Sequence, residues 1–300
     1  MSVPVPAGPS FPRVVAISGS GRGIGLATAR ALYATGARVV IGDIDTATAE
    51  AAAAALGDRA AATTLDVADA ESFTAFIAFA EARFGPLDVL VNNAGIMPIG
   101  PFLDESAATA RRATDINLGG CLNGMRAALP GMLARGRGQI VNVASVAGKS
   151  PVPGGLTYAA TKAAVISATE TARVEFASSG VRFTCVMPSF TNTELIAGTS
   201  GTRFLKNVEL EDVATAIADA IARPVADVYV PKLLAPIVKS TPLLGRRLRD
   251  RVNRALKADR AFLEIDHAAR AGYDTRIGAA PAAPMLSAPA PAPQAPAGED

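Results

Sequence analysis

The chain has 300 residues, half of them hydrophobic, with a formal net charge of +2, two cysteines and one histidine. That is enough chain for one large domain with its own core, and the near-neutral balance creates no field that would select nucleic acid or an acidic partner. The single histidine, His267, excludes a histidine-rich metal site; no apolar run approaches the roughly 18–20 residues of a membrane span, and the first residues lack a basic-then-apolar secretory pattern.

Residues 1–12 hold four prolines and read as a flexible end. Short β-branched runs then alternate with longer alanine-rich helical ones. "RVVAIS" (13–18) precedes a helix over 23–36, and "ARVVIGD" (37–43) precedes one over 46–57. "AATTLDV" (61–67) precedes a helix over 71–85, and "LDVLVNNAG" (87–95) precedes a long helical stretch near 104–135. "GQIVNVAS" (138–145) leads to a helix near 155–179, "VRFTCVMP" (181–188) to one over 211–224, and "DVYVPK" (227–232) closes the series. The strands are nearly continuous apolar runs, as expected of strands buried on both faces by helices. Repeated β-α units with right-handed crossovers give an α/β fold, a doubly wound parallel sheet of about seven strands in a single domain over residues 13–235.

Residues 236–278 form a basic helical extension. Within residues 240–262, Leu244, Leu248, Val252 and Leu256 recur at a helical period, amid Arg246, Arg247, Arg249, Arg251, Arg254 and Lys257. Such a helix packs on the core or on another subunit, or lies on an anionic membrane surface as a peripheral contact. Packing is the favoured reading, and no aromatic platform accompanies the helix to suggest nucleic acid. Residues 279–300 are Pro/Ala low complexity and read as a disordered tail. Cys121 and Cys185 lie far apart with no CxxC pattern, which favours a reduced cytoplasmic pair over a disulfide.

In a doubly wound sheet, ligands sit at the carboxyl ends of the strands near the switch point. The first turn there reads "SGSGRGIG" (18–25). A tight connection needs one glycine; this one has Gly19, Gly21, Gly23 and Gly25, enough for a close approach to phosphate. The second strand ends in Asp43, placed to accept from both hydroxyls of an adenosine ribose and to repel a 2′-phosphate. That favours NAD over NADP. Two alternatives stay open: Arg22 attracts a 2′-phosphate or points to solvent, and Asp45 takes the role of Asp43.

Further along, "LDV" (65–67), "NNAG" (92–95), "INL" (116–118), "NVAS" (142–145), "TYAATKAAV" (157–165) and "MPSFTNT" (187–193) occur in order, most of them at strand ends. With the glycine loop they make the chain, over about residues 12–235, resemble the short-chain dehydrogenases/reductases, in the branch of ordinary length, here with a C-terminal extension. Ser18 stands where that family usually has threonine, and Ser189 where it has glycine. The resemblance implies a Rossmann-like fold and a nicotinamide dinucleotide held by Gly19, Gly21, Arg22, Gly23, Ile24, Gly25, Asp43, Asp66, Val67, Asn93, Ala94, Gly95, Tyr158, Lys162, Pro188, Thr191 and Thr193. It implies a catalytic set of Asn117, Ser145, Tyr158 and Lys162.

The chemistry agrees with those residue types. A free phenol, with a pKa of about 10, is a poor base, and an ammonium four residues on shares its helix face and stabilises the phenolate. On that reading Tyr158 is the general acid/base, Ser145 orients the substrate oxygen, Lys162 tunes Tyr158 and holds the cofactor ribose, and Asn117 holds a water leading from Lys162 to solvent. The implied reaction interconverts a secondary alcohol and a ketone. Ile96, Met97, Ile99, Val152, Pro153, Phe190, Leu195, Ile196 and Phe204 are candidate apolar walls for a hydrophobic substrate. Alternatives are an NADPH-dependent 3-ketoacyl reductase, a sugar-nucleotide epimerase and a non-catalytic nucleotide-binding protein. The resemblance also implies a homo-dimer or homo-tetramer joined through the long helices.

Overall fold

Every residue of β1, Val14–Ser18, is buried. Val14 and Ala16 enter one hydrophobic cluster, Val15 and Ile17 the other. A strand whose alternate side chains both need cover must lie between two helical layers. The computed structural model describes residues 13–199, 207–240, 245, 247, 251, 262, 263 and 265–279, and it shows those layers.

Six further strands follow: β2 (Arg38–Asp43), β3 (Ala60–Thr64), β4 (Val89–Asn92), β5 (Gly138–Val143), β6 (Val181–Pro188) and β7 (Asp227–Val230). They form one sheet in the order β3-β2-β1-β4-β5-β6-β7, and every neighbouring pair is parallel. Helices α1 (Gly23–Ala34) and α2 (Thr46–Leu56) cover one face. Helix α3 (Ala70–Phe84) packs on the other. The expected doubly wound, Rossmann-like sheet is present. The chain turns outward in opposite directions from β1 and β4, so the loops after these strands part and leave a crevice.

The stretch expected as one helix near 104–135 is interrupted. Helix α4 (Ala107–Thr114) passes into a π turn at Asp115–Gly119 and then into α5 (Gly120–Ala134). The wider turn accommodates Asn117, a poor helix former, whose side chain bonds outside the helix. Helix α6 (Leu156–Glu175) packs with α3 and α5, and α7 (Leu210–Ala222) with α1 and α2. After β7 comes the short α8 (Leu234–Ser240).

The ends at 1–12 and 280–300, and most of the basic segment 240–262 with its expected packing or membrane role, lie outside the described residues. A last helix, α9 (His267–Ile277), is described. Asp266 caps its start by accepting from Ala268 N and Ala269 N, and Gly278 ends it in the left-handed region at φ 64°. Both cysteines are buried and unbridged. Among the described residues no helix is long and apolar enough to cross a membrane.

Gly124 sets how closely α5 approaches the sheet. A Cβ there would stand 2.2 Å from Asn92 Oδ1 and 2.6 Å from Phe73 Cζ. Gly124→Ala is therefore expected to lower stability by about 1–3 kcal/mol through overpacking, against the gain in helix propensity. A lower urea midpoint with an unchanged slope is the expected reading.

Candidate active site

The crevice opens into a cleft of about 1410 Å³ at the carboxyl ends of the strands. Its floor is fixed by ties between the loops after β1 and β4. Ser18 Oγ accepts from Asn93 N at 3.1 Å and Ala94 N at 3.2 Å. Asn93 Nδ2 donates in return to Ser18 O at 3.1 Å and Gly19 O at 2.8 Å. Serine thus suffices where threonine is usual. The approach is close enough that a Cβ on Gly19 (φ +60°) would lie 2.7 Å from Ala94 Cα. Gly23 (φ +56°) has nothing within 4 Å of such an atom, so the start of α1 presents bare backbone to the cleft.

Beyond the loop, Asp43 is buried at 8% exposure and lines the same cleft. Its Oδ2 accepts from Gly21 N at 2.9 Å and its Oδ1 from Asp45 N at 3.1 Å. Asp45 has other work: it caps α2 through Thr48 N at 3.1 Å and pairs with Arg22. The Thr48 hydrogen bonds come first among the causes that hold its carboxyl below the usual range. Arg22 also donates to Thr48 Oγ1 at 3.1 Å. Asp66 uses Oδ1 to accept from Ala68 N at 2.9 Å and lines the cleft beside Val67.

At the other end stand Ser145, Tyr158 and Lys162. Ser145 leaves β5 in extended backbone; its Oγ accepts from Ala147 N at 3.1 Å and faces Pro188 O at 3.4 Å. Tyr158 and Lys162 lie one turn apart on α6, both buried. Burial pushes the Tyr158 phenol up to about 12, with the Ser145 hydroxyl acting in the opposite sense. Burial pulls Lys162 down to about 8. The Lys162 ammonium sits 5.8 Å from the Tyr158 ring centroid and donates to Val143 O at 2.9 Å, so in this geometry it is tied to the end of β5 rather than to the phenol.

Asn117, Gly21 and Gly25 do not line the cleft, whereas Gly19, Arg22, Gly23, Ile24, Asn93, Ala94, Gly95, Pro188, Thr191 and Thr193 do. Asn117 lies behind Gly95. Its Oδ1 accepts from Ile96 N at 2.8 Å, and its Nδ2 donates to Ile96 O at 2.9 Å and Thr161 Oγ1 at 3.0 Å. A Cβ on Gly95 would lie 3.1 Å from Asn117 Oδ1 and 3.4 Å from Lys162 Nζ, so that glycine makes room for Asn117 behind it and for Lys162 at the cleft wall. Ser189, in the place of a glycine, donates from its N to Val230 O at 2.8 Å. Thr193 Oγ1 accepts from Leu195 N at 3.2 Å, starting the turn that follows.

The family model described as short chain dehydrogenase matches residues 13–203. The chain belongs to this family. A galactitol 2-dehydrogenase from Agrobacterium fabrum is 40% identical over 183 residues, 61% of this chain and 72% of that one. A cis-4-hydroxycyclohexanecarboxylate dehydrogenase from Sinomonas cyclohexanicum is 42% identical over 189 residues, 62% of this chain and 76% of that one. Among solved structures, a short chain dehydrogenase/reductase from Burkholderia phymatum in complex with NAD has a TM-score of 0.71 at 25% identity, covering 78% of this chain and 94% of that one.

This short-chain dehydrogenase adds a wall from beyond the matched segment. Phe262 is buried with Met97, Ala147 and Tyr158, and its ring lies 5.2 Å from that of Phe190. Ile265 pairs with Thr199 in an antiparallel bridge. Helix α9 then crosses the cleft mouth, where Tyr273, Arg276 and Ile277 join its lining. Arg270, 1% exposed, is the clamp. It donates to Leu195 O at 2.8 Å, to Ala197 O at 3.3 Å and to Met97 O, and its Nε faces Asp274 Oδ1 at 2.9 Å as an ion pair. Tyr273 Oη accepts from Met97 N at 2.8 Å. Family motifs do not reach these residues. The available signals were local: Asp266 before "HAARAGYDTRIG", Gly278 at its end, and Arg270 and Tyr273 three apart between them.

Arg270→Met keeps much of the volume but strands carbonyls from two loops. Removing one partner from a buried charged cluster costs about 3–5 kcal/mol. Amide exchange in α9 should quicken by about a hundredfold or more, with β1 and β4 as slow as in the parent protein.

Proposed function

We propose that the protein is an NAD-preferring oxidoreductase that interconverts a secondary alcohol and a ketone, on an apolar substrate. One observation carries the reading. Ser145, Tyr158 and Lys162 stand at one end of a single cleft whose other end is the glycine loop and Asp43. The bare backbone at Gly23 and the buried carboxylate of Asp43 fit a dinucleotide's phosphate and ribose. When bound, a nicotinamide supplies the acceptor or donor of hydride.

The protein's own groups handle the proton and the position of the substrate. With its pKa pushed up to about 12, Tyr158 holds its proton at neutral pH and is set to donate it to an oxygen that gains charge as a ketone is reduced. In the reverse direction Tyr158 first gives its proton to solvent, and the phenolate Oη then receives the carbinol proton. Ser145 Oγ, already within the phenol's reach, orients that same oxygen. Lys162 adds positive charge within a buried site, which opposes the cost of a transient phenolate. Asn117 fixes Ile96 and Thr161 around this pair.

The cofactor preference follows from charge. Asp43 stands at the ribose position, while Arg22 is engaged by Asp45 and Thr48. A carboxylate whose neighbouring cation is already engaged disfavours a 2′-phosphate. Met97, Phe190, Leu195, Ile196 and Phe262 supply an apolar substrate wall. Exposed apolar side chains on α5 and α6, Leu133, Leu156 and Val174, support self-association as a dimer or tetramer through those helices.

On a panel of secondary alcohols and ketones, Tyr158→Phe is expected to lower turnover by about 10²–10⁴-fold; near-parental turnover rejects the assignment. In the same assay kcat/KM with NAD should exceed that with NADP by about tenfold or more, one decade being 1.4 kcal/mol. Asp43→Ser should narrow the gap. Equal or faster rates with NADP in the parent protein would refute the charge argument.

A further inference from the structure

We propose that the mouth of the cleft binds a carboxylate, so that the substrate is an apolar hydroxy acid or oxo acid rather than a plain alcohol or ketone. This rests on the dehydrogenase reading above and specifies its substrate. Tyr273 places a phenol in the cleft wall. Its Oη accepts from Met97 N at 2.8 Å, but a phenol can donate as well as accept. Among the described residues nothing accepts its proton. Tyr273 is 6% exposed and lines the cleft. A buried donor with no acceptor, in a wall facing a ligand site, calls for an acceptor on the ligand.

The surroundings choose a negative one. The Tyr273 ring lies 4.7 Å from Arg270 Cζ and 5.4 Å from Arg276 Cζ. Arg270 is committed to carbonyls and Asp274, and Arg276 to Glu194. Arg111 and Arg112 are different. Both are exposed and line the cleft, and among the described residues neither side chain has a hydrogen bond or an ion pair. A Cβ on Gly278 would lie 3.1 Å from Arg112 Nη1. Gly278 follows Tyr273 by five residues, a rise of about 7–8 Å along a helix. Of the acidic side chains lining the cleft near them, Glu194 is paired with Arg276, and Asp115 is outnumbered by the two unpaired arginines. The cleft therefore has a proton-transfer end at Tyr158 and Ser145, apolar sides at Met97, Phe190 and Phe262, and a hydroxyl donor with an unpaired guanidinium at its mouth. An arginine beside a neutral donor suits a carboxylate.

The test compares cis-4-hydroxycyclohexanecarboxylate with its methyl ester, nearly the same shape without the charge, using the full chain and saturating NAD. The parent protein should favour the acid by about tenfold or more in kcat/KM. Tyr273→Phe and Arg112→Gln should each cut the acid-to-ester ratio about fivefold or more, mainly through KM, and Arg112→Lys should restore part of it. Equal use of acid and ester by the parent protein overturns the proposal. Variants that lose both substrates in proportion also overturn it, because that is the signature of a structural role. A weaker NADH affinity in Arg112→Gln with an unchanged ratio assigns the cation to a cofactor phosphate and overturns it too. Failure of the dehydrogenase reading looks different: no NADH binding and no oxidation of any alcohol or hydroxy acid.

Discussion

The ties between Ser18 and Asn93 hold together what the topology pulls apart. At the switch point the chain leaves β1 and β4 in opposite directions, and that divergence makes the crevice. Left alone, the same divergence would leave two loops with unpaired backbone groups at the edge of a buried sheet. Ser18 Oγ satisfies Asn93 N and Ala94 N, and the Asn93 amide satisfies Ser18 O and Gly19 O. The glycine loop and the Asn93–Gly95 wall are thereby fixed against each other, at a separation that only Gly19 permits. Asn117 repeats the device one step further along, binding both backbone groups of Ile96. The π turn is what frees its side chain to do so.

Burial sets the electrostatics at the reacting end more than pairing does. Tyr158 and Lys162 are both buried, and burial acts on them in opposite directions: it favours the neutral phenol and disfavours the ammonium. Neither shift changes the state at neutral pH: the phenol keeps its proton, and the ammonium, pulled down to about 8, stays mostly charged beside it. The hydrogen bond from Lys162 to Val143 O keeps that cation at a fixed distance. Ser145 is the one neighbour that opposes burial at the phenol. The Ser145 hydroxyl therefore eases the loss of the Tyr158 proton.

Where the sequence was legible, the reason was periodicity or a strand end. Buried strands such as "VVAIS" read directly as β1, and the alternation of strands and helices fixed the parallel sheet. Asp43, Ser145 and Gly19 could be placed along the cleft from the sequence because a strand's carboxyl end has few possible positions. Within the long helical stretch near 104–135 the interruption is hard to place from sequence, because a π turn adds one residue to a turn and leaves the apolar pattern nearly intact. Neither the Arg22–Asp45 pair nor the Lys162 bond to Val143 could be read from spacing, since a long cation's partner is decided by packing in three dimensions. The clamp at Arg270 was hidden for another reason: an arginine near a charged, alanine-rich helix reads as surface, and only the carbonyls of Leu195, Ala197 and Met97 make it core.

Those carbonyls also explain why the clamp is an arginine. The segment Glu194–Thr199 is a short helical turn and a bend, and the segment after Gly95 is irregular. Both leave backbone oxygens that no strand or helix satisfies, next to the cleft. A lysine has one nitrogen to offer three oxygens spread over two loops. A guanidinium has a planar fork of five N–H donors, is more weakly hydrated, and loses less on burial. Arg270 thus fastens the loop carrying Leu195 and Ile196 to the loop carrying Met97, and Asp274 on the same helix offsets part of the charge. Fixing those two loops places Tyr273 Oη against Met97 N. Tyr273 is held by the backbone of the same segment that packs on Tyr158, so the last helix and the Tyr158 end of the cleft are joined through Met97.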